Sequence, residues 1–201
     1  MREFGTAIVL AGGKSSRMGF DKQKLIIHNC RLMNRITETL EKSFEEIVLV
    51  TQTPEDYEGL SLKTVKDKIA GMGPLGGIHA GLLESTSKFS YVFACDMPVI
   101  DMSYVDFMKE KLAGSDYEGC VTRYKDWIEP FNAFYSKELI NGIEDYLKEG
   151  RKSIFKFLER RNIFYIPESE AREFSPDWDM FYNLNTKEDI NGFVNKAKES
   201  C

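Results

Sequence analysis

Three continuous apolar runs punctuate the first half of the chain: Thr6 to Ala11, Ile47 to Val50 and Tyr91 to Cys95. Each is unbroken rather than alternating, which suits parallel strands covered by helices on both faces. Polar, Gly or Pro residues close each run. Between the runs the period becomes that of a helix. Leu32, Ile36, Leu40 and Phe44 fall four apart on one face, and Leu75, Ile78 and Leu82 form a second stripe. Tyr104, Val105, Phe107, Met108 and Leu112 make a third, with Ser103 as its expected cap. Strand alternating with helix predicts a parallel α/β sheet.

The second half is less regular. Strands are predicted at 119–122, 130–135 and 163–166, a helix over 137–148 capped by Ser136, and a short helix over 154–159. A closing helix runs over about 187–198: Thr186 and Asp189 stand at capping-box spacing, and Ile190, Phe193 and Val194 give it a buried face. With no repeat, linker or low-complexity tract, the pattern predicts a single domain over 1–201. Its expected form is a three-layer α/β fold with a mainly parallel sheet and a smaller mixed C-terminal region.

Composition narrows the function classes. At 201 residues and 42% hydrophobic the chain can bury one good core. With 27 Lys plus Arg against 32 Asp plus Glu, the net charge of −5 provides no general field for a nucleic acid backbone, so no nucleic acid partner is expected. The first apolar run is too short for a signal-peptide core or a membrane span, which predicts a cytoplasmic protein without a membrane partner. Cys30, Cys95, Cys120 and Cys201 are scattered and His28 and His79 lie far apart, so neither zinc nor a disulfide framework has support. Cys95 and Cys120 read as buried small hydrophobes in strands.

The segment after the first strand, Leu10-Ala-Gly-Gly-Lys-Ser-Ser-Arg-Met-Gly19 followed by Phe20-Asp-Lys22, is the most informative. Small residues there let successive backbone N–H groups approach an anion and form a nest for phosphate oxygens. Open α/β sheets bind ligands at that edge. A Walker A loop would need Gly five residues before Gly13, where Ile8 stands, and Gly12, Gly13 and Gly19 do not fit G-x-G-x-x-G. A bare Gly-Gly would be an ordinary tight turn. Here Lys14, Arg17, Lys22 and Lys24 gather on an acidic protein, which points to a small polyanion.

Asp96 follows the third strand in Cys95-Asp-Met-Pro98, so its carboxylate should emerge at the same edge. Mg²⁺ takes one or two carboxylates plus phosphate oxygens, so one Asp suffices, although Asp-x-Pro is also ordinary turn chemistry. Asp67 ends a short strand, and Gly71 to Gly77 then opens a helix whose N-terminus could meet a ligand. His79, in that helix and without a partner Cys or His nearby, reads as a packed or surface residue.

The string L-A-G-G-K-S-S-R-M-G-F-D-K resembles the nucleotide-binding signature of the molybdenum cofactor guanylyltransferases (the MobA family), within the Rossmann-like nucleotidyltransferases. Related cytidylyltransferases read L-A-A-G there, so Gly12 tilts the base towards guanine. Cys95-Asp-Met-Pro98 and Gly73-Pro-Leu-Gly-Gly77 match further family motifs, and so, over nearly the whole chain, do Ile128 to Tyr135, Glu149 to Ser153 and Phe181 to Thr186. Gln23-Lys24 and Asn132 depart from the usual small or apolar residues.

The resemblance implies transfer of GMP from GTP to the phosphate of molybdenum-molybdopterin, giving molybdopterin guanine dinucleotide and pyrophosphate. Residues 1–115 would form the nucleotide-binding part and 116–201 the acceptor-binding part. Arg17, Lys22 and Asp96 are the expected catalytic residues, with Asp96 holding Mg²⁺. GTP would be held by Leu10, Ala11, Gly12, Gly13, Lys22, Asp67, Gly73, Gly77 and Asp96. Molybdopterin would meet Arg151, Lys152, Asn183 and Asn185; Asn183 and Asn185, two apart in an extended segment, would share a side while Leu184 faces the core. Cofactor delivery proteins or recipient apoenzymes are the implied protein contacts. A cytidylyltransferase or sugar-phosphate nucleotidyltransferase of the same fold, and a nucleotide-binding regulator without turnover, are the alternatives.

Overall fold

The computed structural model describes residues 2–11, 26–27, 30–60, 62–66 and 72–199. The first strand, β1 (Thr6–Leu10), is followed by a two-residue pair β2 (Ile26–Ile27) and β3 (Cys30–Arg31), then α1 (Leu32–Leu40), β4 (Glu46–Val50), β5 (Lys63–Val65), α2 (Pro74–Glu84) and β6 (Phe89–Ala94). The chain continues through α3 (Met102–Leu112), the hairpin β7 (Gly119–Tyr124) and β8 (Trp127–Ser136), α4 (Leu139–Lys148), α5 (Ile154–Leu158), β9 (Ile163–Ile166), α6 (Glu168–Phe174) and α7 (Lys187–Glu199).

Seven strands form one sheet in the order β5-β4-β1-β6-β8-β7-β9. β1 pairs parallel with both β4 and β6, and β5 extends the parallel set. β8 is antiparallel to both β6 and β7, while β9 returns parallel to β7. The expected three-layer fold with a mainly parallel sheet and a mixed C-terminal region is the fold observed.

Both faces of the central strands are buried, which explains their unbroken apolar sequence. Ala7, Val9, Ile47 and Leu49 pack with α1, α3 and the 180–184 segment. Their neighbours Ile8, Leu10, Val48 and Val50 pack on the other face with α2, α4 and α5. Helix α2 lies so close to the sheet that a Cβ built on Gly81 would stand 2.4 Å from Ile8 Cγ2. Only glycine allows that approach.

Several local expectations change. Asp101, not Ser103, caps α3: its Oδ1 accepts from the amides of Ser103 at 2.9 Å and Tyr104 at 3.1 Å. Ser136 is the last residue of β8, paired with Phe89, and α4 begins only at Leu139. Its hydroxyl accepts from the Glu138 amide and so shapes the turn instead. Phe44 lies beyond α1 yet is buried, and Cys95 is half-buried in the turn after β6, whereas Cys120 is buried as expected. Burial pushes the Cys120 thiol far above the usual thiol range. Helix α6 was not predicted because of its seven residues only Ala171 is buried, which leaves no apolar stripe to see. The capping box of α7 is present, with the Thr186 amide donating to Asp189 Oδ2 at 2.7 Å and the Asp189 amide donating to Thr186 Oγ1 at 3.0 Å.

Candidate active site

The carboxyl ends of the parallel strands meet at one edge of the sheet. There the ladder runs slightly past the strands: the Ala11 amide donates to Val50 O at 2.8 Å, the Cys95 amide to Leu10 O at 3.0 Å and the Thr51 amide to Val65 O at 2.9 Å. Connections from β1 lead to β4 on one side, while the crossover through α2 brings β6 to the other. That reversal opens a crevice between β1 and β6, the position where doubly wound sheets bind nucleotides. Leu10 ends β1 there and Ala11 follows it, both buried. Gly12, Gly13, Lys14, Arg17, Lys22, Lys24 and Asp67 lie outside the described residues.

Helix α2 starts at the same edge because it follows β5. Gly73 precedes it at φ +68°, the left-handed region that glycine enters without strain, and Pro74 opens the first turn. Among the described residues no side chain caps this end; Pro74 has no N–H and the Gly76 amide donates to Gly73 O at 3.2 Å, which leaves the Leu75 amide of the first turn for an anion. Gly77 lies deeper: a Cβ there would stand 3.3 Å from Leu10 Cδ2, so its smallness serves the packing of α2 on β1. His79 is buried, and its Nε2 lies 3.1 Å from Glu144 Oε1, which ties α2 to α4.

Asp96 sits in the turn that ends β6, where the Met97 amide donates to Ala94 O at 3.1 Å and Met97 is buried as an anchor. The carbonyl of Asp96 accepts the Leu184 amide at 2.9 Å. Since Asp101 caps α3, Asp96 does not have that duty. Among the described residues no group of three or more His, Cys, Asp or Glu could hold a metal. A half-exposed carboxylate at the carboxyl edge of the parallel strands fits the other mode, in which Mg²⁺ is shared between one carboxylate and phosphate oxygens.

The expected acceptor residues reach this edge in two layers. Helix α4 starts beside the far end of β6 and returns, which brings Gly150, Arg151 and Lys152 to the carboxyl edge on the α2 side. Arg151 pairs with Glu149 at 2.9 Å and lies over the Tyr146 ring, and both Arg151 and Lys152 are exposed. Asn183 and Asn185 lie on the α3 side. Leu184 is fully buried between them, as the two-residue spacing predicts. The segment is not a plain extended strand, however. The Asn183 amide group donates to Phe181 O at 3.0 Å, and the Asn185 backbone N–H reaches both Asn183 O and Asp189 Oδ2.

One carboxylate that sequence reasoning did not single out is Glu129 on β8, half-buried near the same end of the sheet. Trp178 Nε1 donates to its Oε1 at 3.4 Å. Burial holds its pKa above the usual carboxylate range, and the indole bond offsets this only in part. Its sequence signal was slight, since a Glu in an otherwise apolar strand marks burial only when its strand face is known.

Residues 7–163 match the MobA-like NTP transferase domain family. A molybdenum cofactor guanylyltransferase of Syntrophotalea carbinolica is 50% identical over 188 residues, covering 94% of this chain and 90% of that protein. A probable molybdenum cofactor guanylyltransferase of Peptoclostridium acidaminophilum is 46% identical, covering 98% and 91%. Among solved structures, molybdopterin-guanine dinucleotide biosynthesis protein A of Archaeoglobus fulgidus superposes with a TM-score of 0.83 at 24% identity, covering 96% and 99%. The 4-diphosphocytidyl-2C-methyl-D-erythritol synthase of Anaerococcus prevotii follows the same fold at a TM-score of 0.71 and 15% identity, covering 98% and 99%.

Proposed function

The chain belongs to the MobA-like NTP transferase family, and from that premise we infer that it is a molybdenum cofactor guanylyltransferase. It transfers GMP from GTP to the phosphate of molybdenum-molybdopterin, forming molybdopterin guanine dinucleotide and pyrophosphate. Half-identity to a guanylyltransferase along 94% of the chain carries this reading. The cytidylyl-transferring relative shares the fold at 15% identity, and fold alone does not fix the base or the acceptor.

In this reading the acceptor phosphate oxygen attacks the α-phosphorus of GTP in line; the new P–O bond forms as the bond to pyrophosphate breaks. Such transfers need positioning and charge neutralisation more than covalent help from the protein. Arg17 and Lys22 hold the triphosphate. The backbone of Leu10, Ala11, Gly12 and Gly13, with Asp67, Gly73 and Gly77, holds the nucleotide in the crevice. Asp96 holds Mg²⁺, which when bound offsets charge on the phosphates. Arg151 and Lys152 meet the acceptor phosphate, and Asn183 and Asn185 the pterin. Residues 1–115 thus form the nucleotide part and 116–201 the acceptor part.

No described helix is long and apolar enough to cross a membrane. A biosynthetic enzyme acting on GTP and the molybdenum cofactor suits the cytoplasm, where delivery proteins and recipient apoenzymes would meet it.

Pyrophosphate release with each of the four ribonucleoside triphosphates, Mg²⁺ and molybdenum-loaded cofactor tests this reading. GTP should outperform CTP by at least about a hundredfold in kcat/KM, ~2.7 kcal/mol, which a few hydrogen bonds to the base edge can supply. Equal use of CTP overturns the guanine assignment.

A further inference from the structure

Among the described residues, Glu129 is a carboxylate short of donors. Beyond Val92↔Ala133, its last pair with β6, β8 bends at Asn132, where φ is +59°, and Glu129 lies past that bend, paired across with Thr122 of β7. A carboxylate offers about four acceptor positions. Among the described residues Glu129 uses one, for the long bond from Trp178 Nε1. The cation stacked on the indole is already committed: the Arg172 guanidinium lies 4.8 Å over the Trp178 ring and donates to Glu168 at 2.8 Å and to Pro176 O at 2.7 Å. Burial therefore raises the pKa of Glu129, offset in part by the Trp178 bond and by no ion pair among the described residues. Holding a half-buried carboxylate on one long hydrogen bond costs stability, and the cost is recovered when a ligand brings further N–H donors.

The wall beside it is closely packed. Trp178 stands at φ +65°, held by ring contacts with Tyr124 at 4.9 Å and Phe181 at 4.6 Å. The chain runs on from Trp178 through Phe181 to Leu184, whose amide is bonded to Asp96. Glu129 and the acceptor-side asparagines are thus joined by one packed segment to the carboxylate at the phosphate edge.

We propose that Glu129 accepts the paired N–H donors of a 2-amino-4-oxopyrimidine ring, namely that of the pterin acceptor, and so fixes which ring is presented for transfer. The proposal rests on the guanylyltransferase reading for its choice of pterin, because guanine carries the same amino and lactam N–H edge. The two sources separate by experiment.

Glu129→Gln keeps the size and an oxygen for the Trp178 indole, so a purely structural role survives it, while the second acceptor becomes a donor that clashes with the ligand's amino group. In steady-state turnover the variant should raise the KM of the pterin acceptor by at least about tenfold, the lower end for losing a bidentate pair. Its KM for GTP and its kcat should stay near wild type. A rise in the GTP KM instead assigns the edge to guanine and overturns the proposal, as does a variant unchanged in both.

A second arm needs no turnover. Tryptophan fluorescence is followed while the wild type and Glu129→Gln are titrated with a 6-substituted pterin and with the matching lumazine, which carries oxygen in place of the 2-amino group. The wild type should prefer the pterin by at least about tenfold and the variant should lose that preference. A wild type that does not discriminate overturns the proposal. A wild type that discriminates but releases no pyrophosphate leaves the pterin site standing and removes the transfer reading.

Discussion

The backbone amide of Leu184 donates to the backbone carbonyl of Asp96 at 2.9 Å, across 88 positions of sequence. Leu184 itself is fully buried in the cluster on the α1 and α3 face of the sheet. The turn that presents Asp96 and the segment that presents Asn183 and Asn185 are therefore one structural unit. Leu184→Ala should cost about 2–5 kcal/mol, the range for a buried Leu cut to Ala, and should also lower kcat by loosening Asp96. Urea denaturation beside turnover checks this; a destabilised variant with wild-type kcat would uncouple the two.

Asp96→Asn keeps the side-chain size and leaves the backbone bond to Leu184 in place. The expected result is a melting temperature near wild type with turnover reduced at least about a hundredfold, since charge stabilisation on transferring phosphates commonly contributes that much. Near-normal activity would make Asp96 a turn residue.

Replacing Asn183 or Asn185 by Ala tests the acceptor assignment. Asn183 already spends a donor on Phe181 O, and the Asn185 backbone takes part in the α7 cap. Truncating Asn185 removes the exposed amide and spares that backbone bond. Weaker cofactor binding with unchanged GTP affinity is expected for both variants; an equal loss of both ligands would point to a structural role.

Burying Glu129 has a pH signature. A carboxyl whose pKa rises on folding contributes stability that is complete below its unfolded value and is lost as the pH climbs through the folded one. At neutral pH the wild type therefore carries the cost of a buried charge. Glu129→Gln, neutral throughout, should melt at a higher temperature than wild type at pH 7.5, and the gap should close as the pH falls through the carboxylate range. Melts across pH 4 to 8 decide it, and a variant less stable at pH 7.5 would contradict it.

Gly81→Ala places a methyl 2.4 Å from Ile8 Cγ2, so either α2 or β1 must move. A loss of about 1–3 kcal/mol is expected for such overpacking, partly recovered by Ile8→Ala in the same chain, which opens the space. Additive losses in the double variant would refute the contact.

What the sequence determined by itself was whatever depends on neighbours in the chain. Unbroken apolar runs at 6–11, 47–50 and 91–95 disclosed strands buried on both faces, because only such strands can do without polar alternation. The capping box at Thr186 and Asp189 was equally legible, since its hydrogen bonds span three residues. The glycines, cations and Asp96 suggested a phosphate edge because β1 and β6 end in turn chemistry, and the resemblance of that string to a family supplied the reaction. Tertiary structure alone decided the rest. Whether Ser103 or Asp101 caps α3 depended on where the helix actually begins. Gly77 and Gly81 gained their meaning from Leu10 and Ile8, 67 and 73 residues away in the sequence, and α6 is held by a surface that its own seven residues do not foretell. Glu129 was one acid among many until the bend at Asn132 and the indole of Trp178 enclosed it, because burial and the supply of hydrogen-bond donors are properties of the folded neighbourhood.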